Sequence, residues 1–437
     1  MTNRRNLVLG LGKTGVSVVR WLLSRGEDVT VNDSRDTPPG GEEIREFGAT
    51  VQTRFGHFDH ELLADVDRII VSPGISSRET IVKEANDRGI PVVGDIEVFA
   101  EAHTAPVLAV TGTNGKSTVT TLLAEMIQSS GRTAYAGGNL GDPALDLLSR
   151  PIPDFYVLEL SSYQLENTSK LKLEAAVVLN VTADHMDRYD SLADYAAAKA
   201  RIFKNSRVAV LNADDAIVNS MDVGQARSVQ FGITSPRIEY TIDRDWIVVA
   251  DERLMPLADL GIPGMHNASN ALAALAMGDS IGLPRESMVR TLRDFSGLPH
   301  RMQLVSEWHG VNFVDDSKGT NVGATVAAIA GLSKPVVLIA GGDGKGQDFS
   351  PLSDAFAGRV RYAVLLGRDR EAIAAAVAAV CPTEYAADMD SAVLAAAKVA
   401  QPGDVVLLSP ACASLDMYRN YAERGMAFAT AARRLSA

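Results

Sequence analysis

The residues with the most evident chemistry lie at 107–118, Val-Leu-Ala-Val-Thr-Gly-Thr-Asn-Gly-Lys-Ser-Thr. The apolar run 107–110 predicts a buried strand, and the stretch 116–127 predicts a helix. Between them two glycines let backbone N–H groups close on an anion without a Cβ in the way. The helix N-terminus adds its positive end. Lys116 can neutralise phosphate charge and Ser117 can offer a hydroxyl to Mg²⁺. The cradle therefore comprises Gly112, Thr113, Asn114, Gly115, Lys116, Ser117 and Thr118. The general phosphate-loop pattern asks for glycine where Val110 stands. What separates this stretch from a chance turn is its order: strand, glycine turn, helix.

Two further strands carry polar residues to their ends. The run 155–158 delivers Glu159, and 175–179 delivers Asn180-Val181-Thr182-Ala183-Asp184-His185. If these strands neighbour the first, Ser117, Glu159 and His185 converge beside a triphosphate. Oxygen ligands with one imidazole suit Mg²⁺ or Mn²⁺. A second glycine motif, Gly10-Leu11-Gly12-Lys13-Thr14-Gly15, follows a strand at 6–9, and Asp33 closes another at 29–32. Alone, that pattern reads as dinucleotide binding. Arg35, however, supplies a cation that a site for a ribose 2′-OH does not need.

These groups need a scaffold of alternating strands and helices. A chain of 437 residues should hold two to four domains. Strand–helix alternation implies parallel sheets, with ligands at the carboxyl ends of the strands. In the first segment those ends carry Gly12 to Gly15, Asp33-Ser34-Arg35 and Ser72-Pro73-Gly74. Strands recur at 311–314, 335–339, 362–366 and 405–408. The expected fold is α/β in three domains: a Rossmann-like domain at 1–94, a central P-loop-type ATPase domain with a parallel sheet at 95–299, and a second Rossmann-like domain at 300–437.

A net charge of −12 argues against nucleic acid or an anionic membrane as partner. No apolar run reaches the ~18 residues a membrane span needs. The N-terminal stretch reads as a first strand rather than a secretory signal. Two cysteines, Cys381 and Cys412, point to a reducing cytoplasm, and Cys412 reads as a buried packing thiol.

Thr111 to Thr118 resembles the nucleotide loop of the Mur ligase family and its folylpolyglutamate synthetase relatives. Glu159-Leu160-Ser161-Ser162-Tyr163-Gln164-Leu165, with Asn180 to Tyr189, is similar to the D-glutamate-adding branch of that family, and the likeness spans essentially the whole chain. The resemblance implies ATP, Mg²⁺ (or Mn²⁺), D-glutamate and UDP-N-acetylmuramoyl-L-alanine as the small molecules handled, by a monomer. Gly264-Met265-His266-Asn267-Ala268-Ser269-Asn270 resembles the family's adenine-side helix start. The resemblance places Asn139, Asn267 and Asn270 on ATP, and helix capping is a second role open to Asn267 and Asn270. By the same resemblance Arg301, Asp316 and Lys318 face the nucleotide across a cleft. Thr320, Lys345, Ser414, Leu415 and Tyr421 surround D-glutamate. Asn139 and Ser161 join the first-domain strand ends around the UDP-substrate, whose uracil–ribose end falls to Asp33, Ser34 and Arg35. Lys199 aligns with a lysine that is carbamylated in the family, which adds a CO₂-derived ligand for a second metal. Lys116, His185, Lys199 and Lys318 are the catalytic candidates. Gly319 stands where the family often has alanine, which loosens the turn, and Tyr421 where some members have phenylalanine. A sibling ligase, an NAD-binding protein and a non-catalytic nucleotide switch are the alternatives.

Overall fold

The computed structural model describes residues 4–235 and 238–435. It contains three sheets. The first holds β1 (Arg5–Leu9), β2 (Asp28–Asp33), β3 (Val51–Phe55), β4 (Arg68–Val71) and β5 (Val92–Gly94), all parallel, in the order β3-β2-β1-β4-β5. The chain reverses its direction of winding between β1 and β4, and a crevice opens there at the strands' carboxyl ends.

The second sheet holds β6 (Val107–Thr111), β7 (Ala134–Gly138), β8 (Phe155–Glu159), β9 (Leu173–Val178), β10 (Ser206–Asn212), β11 (Arg227–Phe231), β12 (Tyr240–Asp243), β13 (Trp246–Val249) and β14 (Glu252–Pro256). The order is β14-β13-β12-β11-β10-β9-β6-β8-β7. The phosphate-loop strand β6 is buried along its length and lies between β8 and β9, parallel to both. That adjacency sends the residues after all three strands to one edge. The sequence did not announce several of these strands, among them β7, which takes in Gly137 and Gly138. The sheet also continues through an antiparallel ribbon, β12 to β14, that the sequence did not announce.

The third sheet holds β15 (Gln303–Trp308), β16 (Val311–Asp315), β17 (Val336–Gly341), β18 (Val360–Leu366), β19 (Thr383–Tyr385) and β20 (Val405–Leu408), in the order β15-β16-β20-β17-β18-β19. Only β15 runs antiparallel to its neighbour.

The three bodies are joined differently. Val8, Val31 and Ile70 of the first sheet share one buried apolar cluster with Phe99, from the helix Asp95–Ala102, and with Tyr156 and Leu158 of the second sheet. Among the described residues, the two clusters of the third sheet draw only on residues from 302 onward. The third body therefore shares no buried apolar cluster with the second among the described residues, and a join without one costs less to break.

Candidate active site

The loop after β6 needs its glycines. Gly112 has φ +150 and Gly115, which caps the helix Lys116–Ser129, has φ +83. A Cβ on Gly115 would lie 2.4 Å from Asn270 Oδ1. Asn180 completes the loop: its Oδ1 accepts from the Asn114 N–H at 2.8 Å and its Nδ2 donates to the Asn114 carbonyl at 3.1 Å. Lys116 curls over its own loop, donating to the carbonyls of Gly112 (2.9 Å) and Thr113 (2.7 Å). Burial holds its ammonium below the ordinary lysine range, against the pull of Glu159.

Glu159 ends β8 with 2 % exposure. Its Oε1 accepts from Asn139 Nδ2 at 2.6 Å, while its buried Oε2 has no hydrogen-bond partner. Burial raises the carboxyl most, but Lys116 and Lys318, together with neighbouring polar groups, bring it below the ordinary carboxylate range. An ionised, buried oxygen without a donor is what a hard cation completes. His185 takes φ +60 at the turn after β9. Burial pushes its imidazole down to about 4 despite Asp184, so at neutral pH the ring is neutral, as a metal ligand must be. Among the described residues no three His, Cys, Asp or Glu side chains form a closed metal cage.

Lys199 is 1 % exposed, in the helix Leu192–Ala200. Its Nζ donates to the Gly112 carbonyl at 2.8 Å and lies 4.3 Å from the centre of the Tyr195 ring. Burial first, and Lys116 next, hold it well below the ordinary lysine range.

The third body reaches into this centre. Lys318 Nζ donates to Ser117 Oγ at 2.7 Å and sits 4.9 Å over the Tyr421 ring. Burial brings it down to about 8, with Arg301 adding to the effect. Lys345 pairs with Asp184 at 2.9 Å, and Asn321 donates both to Asp184 (3.2 Å) and to Asn114 Oδ1 (3.1 Å). Asp184 and Asn321 were not singled out from the sequence. Asp184 could have been found, because it stands in the same strand-end run as His185. Thr320 is half-buried in the turn after β16, where its N–H donates to the Lys318 carbonyl. Ser414 is buried, whereas Leu415 beside it is 71 % exposed. Cys412 is fully buried, with its thiol pushed up to about 12.

A cavity of about 250 Å³ lies between the second and third bodies, walled by Asn114, Thr118, Asn267, Asn270, Arg301 and Asp316. His266 joins its wall, another residue not picked from the sequence. Neither asparagine caps the helix Met265–Ser280: Gly264 occupies the cap, Asn267 donates to the Pro263 carbonyl, and Asn270 faces Gly115. Burial pushes the Asp316 carboxyl up to about 7. Gly319 is not a loosened turn but a close fit, since a Cβ there would stand 2.7 Å from Asp316 Oδ2 and 2.9 Å from Ser409 Oγ.

A second cavity, of about 460 Å³, opens at the β1/β4 crevice. Gly12, Lys13, Thr14, Asp33, Ser34, Arg35 and Ser72-Pro73-Gly74 line it, with Asn139 on the far wall. Gly15 is absent from the walls: its backbone packs on Gly10, where a Cβ would come within 2.1 Å of the Gly10 carbonyl oxygen. Ser161 caps the helix Ser162–Glu166 and forms a reciprocal pair with Gln164, which does reach the cavity. Asp33 is already committed. It accepts from the Leu11 N–H at 2.7 Å and from Arg35 at 2.8 and 2.6 Å. A dinucleotide site would need that carboxylate for a ribose hydroxyl.

Fold and centre together define a three-domain nucleotide-dependent enzyme, with a phosphate cradle in the middle and a cleft on either side of it. Sequence profiles narrow the class. Residues 4–94 match the Mur ligase MurD-like N-terminal domain, 110–278 the Mur ligase middle domain, and 300–412 the Mur ligase glutamate ligase domain. The chain belongs to the Mur ligase family. It is 49 % identical to the UDP-N-acetylmuramoylalanine–D-glutamate ligase of Nitrosococcus oceani, over 98 % of this chain and 96 % of that one. It is 47 % identical to the protein of the same name from Pseudomonas aeruginosa, over 98 % of each. Among solved structures, MurC of Thermotoga maritima, a UDP-N-acetylmuramate–alanine ligase, shares the fold with a TM-score of 0.63 at 19 % identity, over 99 % of both chains. MurF of Acinetobacter baumannii does so with a TM-score of 0.63 at 16 % identity, over 99 % of this chain and 91 % of that one.

Proposed function

We propose that this chain is an ATP-dependent carboxylate–amine ligase that joins D-glutamate to UDP-N-acetylmuramoyl-L-alanine, a cytoplasmic step of peptidoglycan precursor synthesis. Full-length identity of 47–49 % to relatives bearing that activity in their names carries the reading. The middle-domain centre supplies the chemistry. The alanyl carboxylate attacks the γ-phosphorus of ATP, ADP leaves, and an acyl phosphate forms. The amine of D-glutamate then attacks the acyl carbon, and phosphate leaves. Such transfers need positioning and charge neutralisation more than covalent help.

In this reading the Gly112–Thr118 loop holds the phosphates and Lys116 turns from its own carbonyls to the transferring group. Asn267, Asn270, Arg301 and Asp316 border the nucleoside. Ser117, Glu159 and His185 would hold Mg²⁺, which offsets phosphate charge. The first-domain cavity takes the UDP-substrate, its uracil–ribose end towards Asp33, Ser34 and Arg35. Thr320, Lys345, Ser414, Leu415 and Tyr421 take D-glutamate, and Lys345 leaves Asp184 to meet the incoming carboxylate. Lys318, which donates to Ser117 Oγ, would have to release that hydroxyl for Ser117 to serve as a metal ligand.

Lys199 completes the proposal as a carbamate. Burial favours the neutral amine, the form whose nitrogen attacks CO₂ and gives up one proton as the N–C bond forms. The product is an anion with two oxygens, fit for a second Mg²⁺ in place of a repelling ammonium. Phosphate release assayed with the UDP-substrate and single amino acids tests the whole reading. D-Glutamate is expected to drive turnover. Equal turnover with L-alanine or glycine, or none with D-glutamate, would point to a sibling ligase.

A further inference from the structure

The first-domain cavity is closed on its far side by Gly138, Asn139, Gly141 and Gln164 of the middle domain. Gln164 is 3 % exposed. Its Oε1 accepts from the Ser161 N–H at 3.1 Å and from Ser161 Oγ at 3.2 Å. Its Nε2 donates to Asp95 Oδ2 at 3.0 Å. An amide oxygen has two acceptor positions and an amide nitrogen two hydrogens. Among the described residues, the hydrogen-bonding capacity left on this side chain is therefore the second Nε2–H.

A side-chain amide between indifferent neighbours can turn over and exchange its oxygen and nitrogen. Here reversal would set Oε1 against a carboxylate oxygen, acceptor on acceptor. It would also set the NH₂ group against the Ser161 N–H. Asp95 thus holds the amide in one sense. It does so from a costly position, 2 % exposed, with Oδ1 buried and unpartnered. Burial pushes its carboxyl up to about 6, which leaves it ionised, and an acceptor, at neutral pH. It opens the helix Asp95–Ala102 directly after β5, at the join between the first two sheets.

We propose that Asp95 is a positioning residue for substrate recognition: by fixing Gln164, it presents a single N–H donor to an oxygen on the sugar–alanyl part of the UDP-substrate. The inference rests on the reading of this cavity as the UDP-substrate site. The sugar–alanyl part is assigned because Gln164 shares its wall with Asn139, whose amide holds Glu159. Asp33 and Arg35 come from the first domain, across the cavity.

The test uses full-length enzyme, with kinetics for each substrate and calorimetry with UDP and with the complete UDP-substrate. Asp95→Leu is expected to raise KM for the UDP-substrate about tenfold, the weight of one hydrogen bond at the upper end of its range, with kcat and the other KM values within about twofold. Asp95→Asn, whose amide oxygen can still accept from Gln164, should stay within about threefold. Gln164→Leu should match Asp95→Leu, and the double variant should be no worse than Gln164→Leu. UDP alone should bind all variants equally. A folded Asp95→Leu with unchanged KM, an additive double variant, or equal loss of UDP binding overturns the proposal. Should Asp95→Leu fail to fold, a Gln164→Leu variant with unchanged KM overturns it as well. A wild-type protein that does not bind UDP would instead sink the reading of the cavity itself.

Discussion

Two helices in this chain open on nearly the same tripeptide. Gly12-Lys13-Thr14 begins the helix Lys13–Ser24, and Gly115-Lys116-Ser117 begins the helix Lys116–Ser129. Each follows a buried strand end. Their geometry nevertheless diverges. Gly115 sits at φ +83 with Asn270 against it, whereas Gly12 is extended at φ −90 with open space where a Cβ would be. Lys116 is folded into the cradle beside the ionised Glu159 and the buried Lys199. Lys13 reaches outward, 68 % exposed, to the Gly141 carbonyl at 2.6 Å and Asp142 at 3.7 Å. A glycine–lysine helix start makes an anion site, and what surrounds it decides whether that site binds or does chemistry. The middle loop has buried counter-charges and an unpartnered carboxylate oxygen, while the first has a carboxylate, Asp33, already saturated by its neighbours.

The contrast is tested most sharply by removing each lysine. Lys116→Ala should lower kcat on the order of 10²-fold or more, because its ammonium meets charge that develops on the transferring phosphate. Turnover within a few-fold of wild type would erase the distinction between the loops. Lys199→Ala should lose about as much and recover in part with formate or acetate, which can occupy the carbamate's place. Isotopically labelled bicarbonate should give a bound carbamate signal in the wild type that is missing from the variant. Its absence from the wild type would leave Lys199 a buried amine and nothing more.

The glycines offer the next contrast. Gly115→Ala forces a Cβ into Asn270 Oδ1 at a strained φ, so the KM for ATP should rise about tenfold, the result of ~1–3 kcal/mol of backbone strain spent at the nucleotide. Gly15→Ala would drive a Cβ to 2.1 Å from the Gly10 carbonyl oxygen. It should instead lower the melting temperature, by the equivalent of ~1–3 kcal/mol of overpacking, with the KM for ATP unchanged. Equal effects of both on ATP would mean that the first loop also holds nucleotide triphosphate.

Much of this was legible because it is local. The strand–glycine–helix order at 107–118 and the polar runs after β8 and β9 are patterns in consecutive residues, and parallel neighbours bring their ends together. What escaped the sequence is of three kinds. The β12–β14 ribbon turns through Arg244-Asp245 and Ala250-Asp251, at φ +45, +65, +50 and +67. These are left-handed pairs without the glycine that normally announces such a turn. The pairings of Lys345 with Asp184 and of Asn321 with Asn114 join residues 161 and 207 positions apart. Nothing in either segment names its partner, because the contact exists only once the third body sits over the second. Gly15 shows a third limit: the fingerprint that places it in a binding motif cannot say that this glycine serves helix–strand packing rather than the ligand.

The smallest effect is expected at the other lysine. Lys13→Met keeps the length of the side chain and removes its charge. The ammonium is largely in water, so its interaction with a diphosphate is screened and worth little, on the order of 0.2–1 kcal/mol for an exposed pair. The KM for the UDP-substrate should therefore rise only about two- to fivefold, with kcat and the KM for ATP unchanged. The increment should shrink as ionic strength rises, since an exposed charge is felt over no more than a Debye length. Titrations of the UDP-substrate against wild type and Lys13→Met at low and high salt decide this. If the loss reaches kcat, or persists undiminished in high salt, Lys13 is drawn into a closed, water-poor site when substrate binds. The first loop would then resemble the second far more than its exposed lysine suggests.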